Sequence, residues 1–269
     1  MSDRWQYDPD PALRPVARTP EVRFDSAGVP LLGVLHVPAG PGPHPVVVLL
    51  HGFPGNERNF DLAQAMRRAG YAALVFHYRG SWGVGGDYRW SGVLADAARA
   101  VSAVRTFDPA FGLDPGRVAV VGHSLGGFAA LHTAANDPSV RAVAAMAAYD
   151  FGAMAAEPEV VRHEARAMFG SDLLPLRGTS GDALYEEMLA HGPLWRLAGL
   201  APRLADRPVL LVAAGNDTVA PPPLHHEPLV AAYSRGQRFE PVTLPSDHAF
   251  SDHRVALTRT VIDFLDRSL

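Results

Sequence analysis

From residue 46 onward, short apolar runs alternate with longer stretches of helical character. The runs fall at 46–50, 72–77, 118–121 and 142–147, and the helical stretches between them at 60–69, 93–107 and 125–135. Near-continuous apolar strands separated by helices of roughly 10–15 residues predict a parallel sheet covered on both faces, and hence an α/β fold. The rhythm resumes after residue 207 with a strand at 209–213, a helix near 225–233, a strand at 239–244 and a terminal helix over 252–265. Ahead of it, 21–24 and 31–37 read as two strands around the turn Ser26-Ala27-Gly28, so a hairpin opens the domain.

Two segments depart from this rhythm. Residues 1–20, with Pro9, Pro11, Pro15 and Pro20, read as an irregular arm with little structure. The stretch from about 150 to 205 is helical in composition and rich in large apolar residues, among them Phe151, Met168, Phe169 and Trp195. Inserted between two strands at their carboxyl ends, where ligands bind in parallel sheets, it is expected to form a cap over a site. The plainer alternative is that these residues pack further helices on the sheet flank. No repeat or linker divides the chain, so the expectation is one domain over 21–269 with a helical cap at about 150–205.

Composition sets limits. The chain of 269 residues is 48% hydrophobic and 19% charged, as in ordinary globular proteins. All 24 basic residues are arginine, which removes lysine as a Schiff-base or general-base candidate. With a formal net charge of -4 and no basic stripe, nothing points to nucleic acid. The absence of cysteine excludes disulfides and thiolate chemistry. There is no signal-like apolar segment near the N-terminus and no run of the roughly 18 apolar residues a membrane span needs, so a cytoplasmic protein without membrane association is expected.

The candidate chemistry begins at Gly122-His123-Ser124-Leu125-Gly126-Gly127, between a strand and a helix. In a G-x-S-x-G elbow the small residues let the chain reverse so sharply that the serine oxygen stands above the sheet, backed by helix N-terminal amides. The alternative is a serine that only caps the helix. A serine nucleophile needs a base and a carboxylate to orient that base. Asp217, in Gly215-Asn216-Asp217-Thr218-Val219 just after a buried strand, is the preferred acid, with Asp150 as its rival. His248, in Ser246-Asp247-His248-Ala249-Phe250, is the preferred base over His253, which sits nearer the terminal helix. The order Ser, acid, His fits the elbow's usual arrangement. Two amides must hold the oxyanion; those of Leu125 and of Phe53, in His51-Gly52-Phe53-Pro54-Gly55 after the 46–50 strand, are the candidates. The glycines at 83, 85 and 86 lack a following lysine and suggest a flexible loop at the site mouth rather than a phosphate cradle. No metal-ligand spacing occurs among the 12 histidines.

Together, the HGFPG, GHSLGG, GNDTV and DHAF segments make the chain resemble the α/β-hydrolase superfamily from about residue 21 onward. The opening hairpin and Tyr78-Arg79-Gly80-Ser81 resemble its dienelactone-hydrolase-like and prolyl-oligopeptidase-like serine hydrolases. The expected nucleophile is serine rather than the cysteine of true dienelactone hydrolases, and a propeller ahead of it, as in oligopeptidases, is not expected. The resemblance implies eight mostly parallel strands and a Ser124, Asp217, His248 triad that needs no cofactor. It also implies a carboxylic-ester hydrolase acting on small to medium acyl groups through an acyl-enzyme. The alternatives are an amidase or peptidase-like hydrolase and a slow-turnover ligand-binding protein. The expected partner is a small-molecule ester or amide, with homo-oligomer formation left open.

Overall fold

The computed structural model describes residues 3–171 and 173–269. Residues 1 and 2 of the expected arm, and residue 172 of the expected cap, lie outside them. The hairpin β1 (Glu21–Ser26) and β2 (Val29–His36) is followed by β3 (His44–Leu50), α1 (Phe60–Ala69), β4 (Ala72–Phe76) and α2 (Trp90–Val104). Next come β5 (Leu113–His123), α3 (Leu125–Asn136) and β6 (Ala142–Met146). The chain then leaves the sheet for α4 (Phe151–Ala155), α5 (Glu159–Ser171), α6 (Gly181–His191) and two 3-10 turns. It returns with β7 (Val209–Ala214), α7 (Pro222–His225), α8 (Glu227–Tyr233), β8 (Phe239–Leu244) and α9 (Arg254–Ser268).

The eight strands form one sheet in the order β1-β2-β4-β3-β5-β6-β7-β8. β2 is antiparallel to β1 and β4, and every other pairing is parallel. Residues 46–50, 72–76 and 209–214 are buried throughout, because helices cover both faces and alternate residues of each strand enter opposite halves of the core. Val46, Val48 and Leu50 pack with α2 and α3, whereas Val47 and Leu49 pack with α1 and α9. All the parallel strands therefore end at one edge, where their connecting loops carry the candidate residues.

Several elements depart from the expected ones, some for physical reasons the structure makes plain. α2 starts at Trp90 rather than 93 because Glu187 of α6 accepts from the Trp90 amide at 2.8 Å and the Ser91 amide at 3.0 Å, capping the helix from across the fold. The helix expected near 225–233 is two short ones, separated at His226 and restarted with proline in the first turn of α8. The N-terminal arm is more structured than its prolines suggest. Trp5 lies in a 3-10 turn, buried against Ala65 and Ile262, and Arg18 pairs backbone to backbone with Val37. The glycine-containing loop after β4 is pinned as well: Trp82 donates its indole N–H to the Pro54 carbonyl at 2.8 Å and its amide to the Pro175 carbonyl at 2.9 Å.

Candidate active site

Ser124 occupies the single residue between β5 and α3, with φ 56° and ψ -119°. A serine in this region is strained, and the strain persists only where the surroundings over-determine it. Here they do. The Ser124 amide donates to the Met146 carbonyl at 2.9 Å, and its carbonyl accepts from Phe128 and Tyr149 at 3.1 and 3.2 Å. A Cβ on Gly122 would collide with the Gly126 carbonyl, and one on Gly126 with the Leu50 carbonyl, so the reversal admits only glycine at both positions. The Ser124 hydroxyl makes no capping hydrogen bond to α3, although the residue stands at its N-cap.

The acid and histidine loops are tied together before their side chains meet. Gly215 donates to the Leu244 carbonyl at 2.7 Å and Asn216 to the Ser246 carbonyl at 2.9 Å, so the loop after β7 is tied to the loop after β8. Asp217 Oδ1 accepts from the Val219 and Ala220 amides, each at 2.8 Å, and Oδ2 from His248 Nδ1 at 2.6 Å. Burial pushes the Asp217 carboxyl up, but the hydrogen bond and charge of His248, with the two amides, hold it below the ordinary aspartate value. Since the carboxylate can only accept, Nδ1 of His248 carries a proton. The backbone of His248 is held by His123, whose Nε2 lies 2.7 Å from the His248 carbonyl.

The rivals are placed elsewhere. Asp150 accepts from the Ala153 amide at 2.9 Å and the Leu197 amide at 3.2 Å, capping α4, and its carboxyl is pushed up to about 6 by burial. His253 pairs with Asp252 at 2.9 Å and stands at the N-cap of α9.

Ser124 and His248 line one cavity of ≈ 200 Å³, together with Phe53, Leu125 and aromatic side chains from α4 and α5. No backbone acceptor takes the amide hydrogens of Phe53 or Leu125 among the described residues. Leu125 is the first residue of α3, where amides lack intrahelical partners and the helix dipole favours negative charge. A larger groove of ≈ 520 Å³ beside α8 holds none of these groups. No cluster of three or more metal-ligating side chains occurs among the described residues, nor any helix long and apolar enough to cross a membrane.

His123, inside the elbow, and Tyr149 and His225 lie beside these groups without a motif that assigns them a role. Their position at the carboxyl edge of strands or in the loops beyond is what brings them to the site.

A family model described as the alpha/beta hydrolase family matches residues 47–260. Over 139 residues, 49% of this chain, the sequence is 36% identical to the quorum-quenching protein AidA of Acinetobacter baumannii, covering 45% of that protein. Over 140 residues, again 49% of this chain, it is 30% identical to the 2,6-dihydropseudooxynicotine hydrolase of Paenarthrobacter nicotinovorans, covering 35% of it. The match thus spans less than half the length of either relative. Among solved structures, the Pyrococcus furiosus esterase Pf2001 superposes with a TM-score of 0.69 at 17% identity, over 94% of this chain and 93% of that one, which establishes a common fold.

Proposed function

Because the chain belongs to the alpha/beta hydrolase family, we propose that it is a serine hydrolase cleaving small carboxylic esters through an acyl-enzyme, with Ser124, His248 and Asp217 as its triad. The observation that carries this reading is the 2.6 Å contact between Asp217 and His248 beside the same cavity that Ser124 enters from a strained elbow. His248 Nε2 takes the Ser124 proton as Oγ attacks the acyl carbonyl. Asp217 holds the ring in the required tautomer and favours its charged form. The amides of Phe53 and Leu125 receive the oxyanion, which preorganised donors stabilise more than water does. His248 then returns the proton to the departing alcohol, and water repeats the sequence to release the acid. The excursion from α4 to α6 serves as the cap, supplying Phe151, Met168, Phe169 and Ser171 to the cavity wall.

The test is hydrolysis of a chain-length series of p-nitrophenyl esters beside matched anilides, by the wild type and by Ser124→Ala. Ester turnover that vanishes in the variant supports the reading and reports the acyl length accepted. Activity retained by the variant removes Ser124 as the nucleophile, and a wild type inert to both series removes the esterase reading.

A further inference from the structure

The Phe53 amide, the oxyanion donor proposed above, sits in a turn whose carbonyls are held by side chains. His51 Nδ1 donates to the Gly52 carbonyl at 2.8 Å and Arg58 Nε to the Gly55 carbonyl at 3.0 Å. Both donors belong to the same loop, so they shape the turn without fixing it to the rest of the fold. Pro54, with no amide hydrogen, adds no donor of its own. The outside ties come from the segment after β4. The Tyr78 hydroxyl donates to the His51 carbonyl at 3.0 Å, and the Trp82 indole N–H to the Pro54 carbonyl at 2.8 Å. Phe53 thus lies between two anchors, Tyr78 on the strand side and Trp82 on the far side.

Trp82 is itself held well enough to serve as one. Its amide donates to the Pro175 carbonyl at 2.9 Å, beside the bridge between Ser81 and Leu176 and the 2.8 Å bond from the Arg177 amide to the Gly80 carbonyl. The Arg58 guanidinium lies over its ring, 4.3 Å from the centroid. Its φ of 49° is in the left-handed region, a conformation that a bulky residue keeps only where its contacts demand it. The turn also comes as close to the indole as glycine alone permits: a Cβ on Gly55, at φ 103°, would lie 2.5 Å from Trp82 Nε1.

We infer that Trp82 is a positioning residue for the reaction: through the Pro54 carbonyl it seats the Phe53 amide where the oxyanion forms. This rests on the serine-hydrolase reading. An oxyanion donor works only about 2.7–3.1 Å from the oxygen that becomes charged, and a misplacement of about 1 Å costs about 100-fold. A tie one residue beyond the donor, to a different part of the fold, sets that distance.

Trp82→Phe keeps a ring beneath Arg58 and removes the N–H. Formation and breakdown of the acyl-enzyme both pass through an oxyanion, so a displaced donor slows both steps and leaves KM where it was. On the p-nitrophenyl ester that the wild type cleaves best, kcat should fall by about 10- to 100-fold with KM within about twofold. Phenylboronic and butylboronic acids give a second readout. The Ser124 oxygen adds to boron as its proton passes to His248, and the tetrahedral anion presents an oxygen to the Phe53 and Leu125 amides. Inhibition by the tighter of the two should weaken in Trp82→Phe by the same factor as kcat/KM, within about threefold. A tryptophan that only supports the fold would lower the thermal midpoint without that match.

A fall in kcat of less than about fivefold, a loss carried by KM, or boronate inhibition unchanged beside a slower reaction overturns the inference. If Trp82→Phe does not fold, β-(3-benzothienyl)alanine at position 82, which puts sulfur in place of the N–H at nearly the same shape, is measured in its stead with the same deciding outcomes. If neither boronic acid inhibits a wild type that cleaves esters, the division of the loss between kcat and KM decides alone. Ser124→Ala separates the two readings. Loss of ester cleavage in that variant beside a wild-type kcat in Trp82→Phe removes only the role of Trp82. Cleavage retained in Ser124→Ala, or a wild type that cleaves no ester, removes the parent reading and this inference with it.

Discussion

His123 donates its Nε2–H to the backbone carbonyl of His248 at 2.7 Å, so the residue before Ser124 positions the proposed base. The carbonyl only accepts, which fixes the proton of His123 on Nε2. Burial and the neighbouring His248 lower its pKa to about 3, so the ring stays neutral at working pH and does not repel a charged His248. His123→Phe keeps the packing and removes the donor. It should lower kcat/KM by about 10- to 100-fold through misplacement of His248, and His123→Gln, which restores an N–H, should recover part of the loss. Equal activity in all three proteins would show that the loop holds His248 without this bond.

The two aspartates should separate cleanly. Asp217→Asn keeps the shape of the acid but loses the charge that favours the correct tautomer, and a fall in kcat of roughly 10³–10⁴-fold is expected. Asp150→Ala removes acceptors from the Ala153 and Leu197 amides, so it should cost about 2 kcal/mol of stability while leaving a folded, active enzyme. Urea unfolding and steady-state kinetics on both variants check this. An inactive but stable Asp150→Ala would return the acid role to Asp150.

Much of this site was legible because its parts are local. A strand, a glycine-flanked serine and a helix can be read within ten residues around Ser124, and Asp217 and His248 each follow an apolar strand closely enough to be assigned to the same sheet edge. What could not be read depends on partners far along the chain. Glu187 caps α2 from 97 residues away, and His123 reaches a carbonyl 125 residues distant. Trp5 is buried only because α1 and α9 come together beneath it. The burial of the Tyr149 hydroxyl without a partner among the described residues likewise emerges only once every neighbour is in place.

Arg79 and Asp96 form the main buried ion pair behind the site. Asp96 is 1% exposed at the side chain and accepts from Arg79 Nε at 2.7 Å, the Arg79 amide at 2.8 Å and Ser26 Oγ at 2.7 Å. Burial pushes its carboxyl up against these donors, so the carboxylate depends on them. Arg79→Met should destabilise the protein by about 3–5 kcal/mol, because it strands a buried acid, and Arg79→Met with Asp96→Leu should recover part of the loss. Denaturant melts of the single and double variants test it. A cost below about 1 kcal/mol for Arg79→Met would mean that the pair behaves like a surface one.

Stability should fall steeply on the acid side of neutrality. Burial holds His51 and His123 at about 3 and His36, His77, His132 and His225 at about 4, against an ordinary value of 6.5. A lowered folded pKa means that the unfolded chain binds the proton first, so stability present above pH 6.5 is lost as pH falls toward 3 to 4. Asp150 works in the opposite direction. Its folded pKa of about 6 lies above the ordinary 3.8, so the folded state takes up that proton first and gains stability as pH falls through this range. Near pH 5 six histidines outweigh one aspartate, which leaves between about four and five net protons taken up on unfolding, each changing stability by about 1.4 kcal/mol per pH unit. Against a typical total of about 5–15 kcal/mol, that slope should unfold the protein above pH 4. Urea melts between pH 7.5 and 4.5 measure the slope directly. A free energy of unfolding that stays level from pH 7 to pH 5 would mean that these imidazoles gain protons within the folded state.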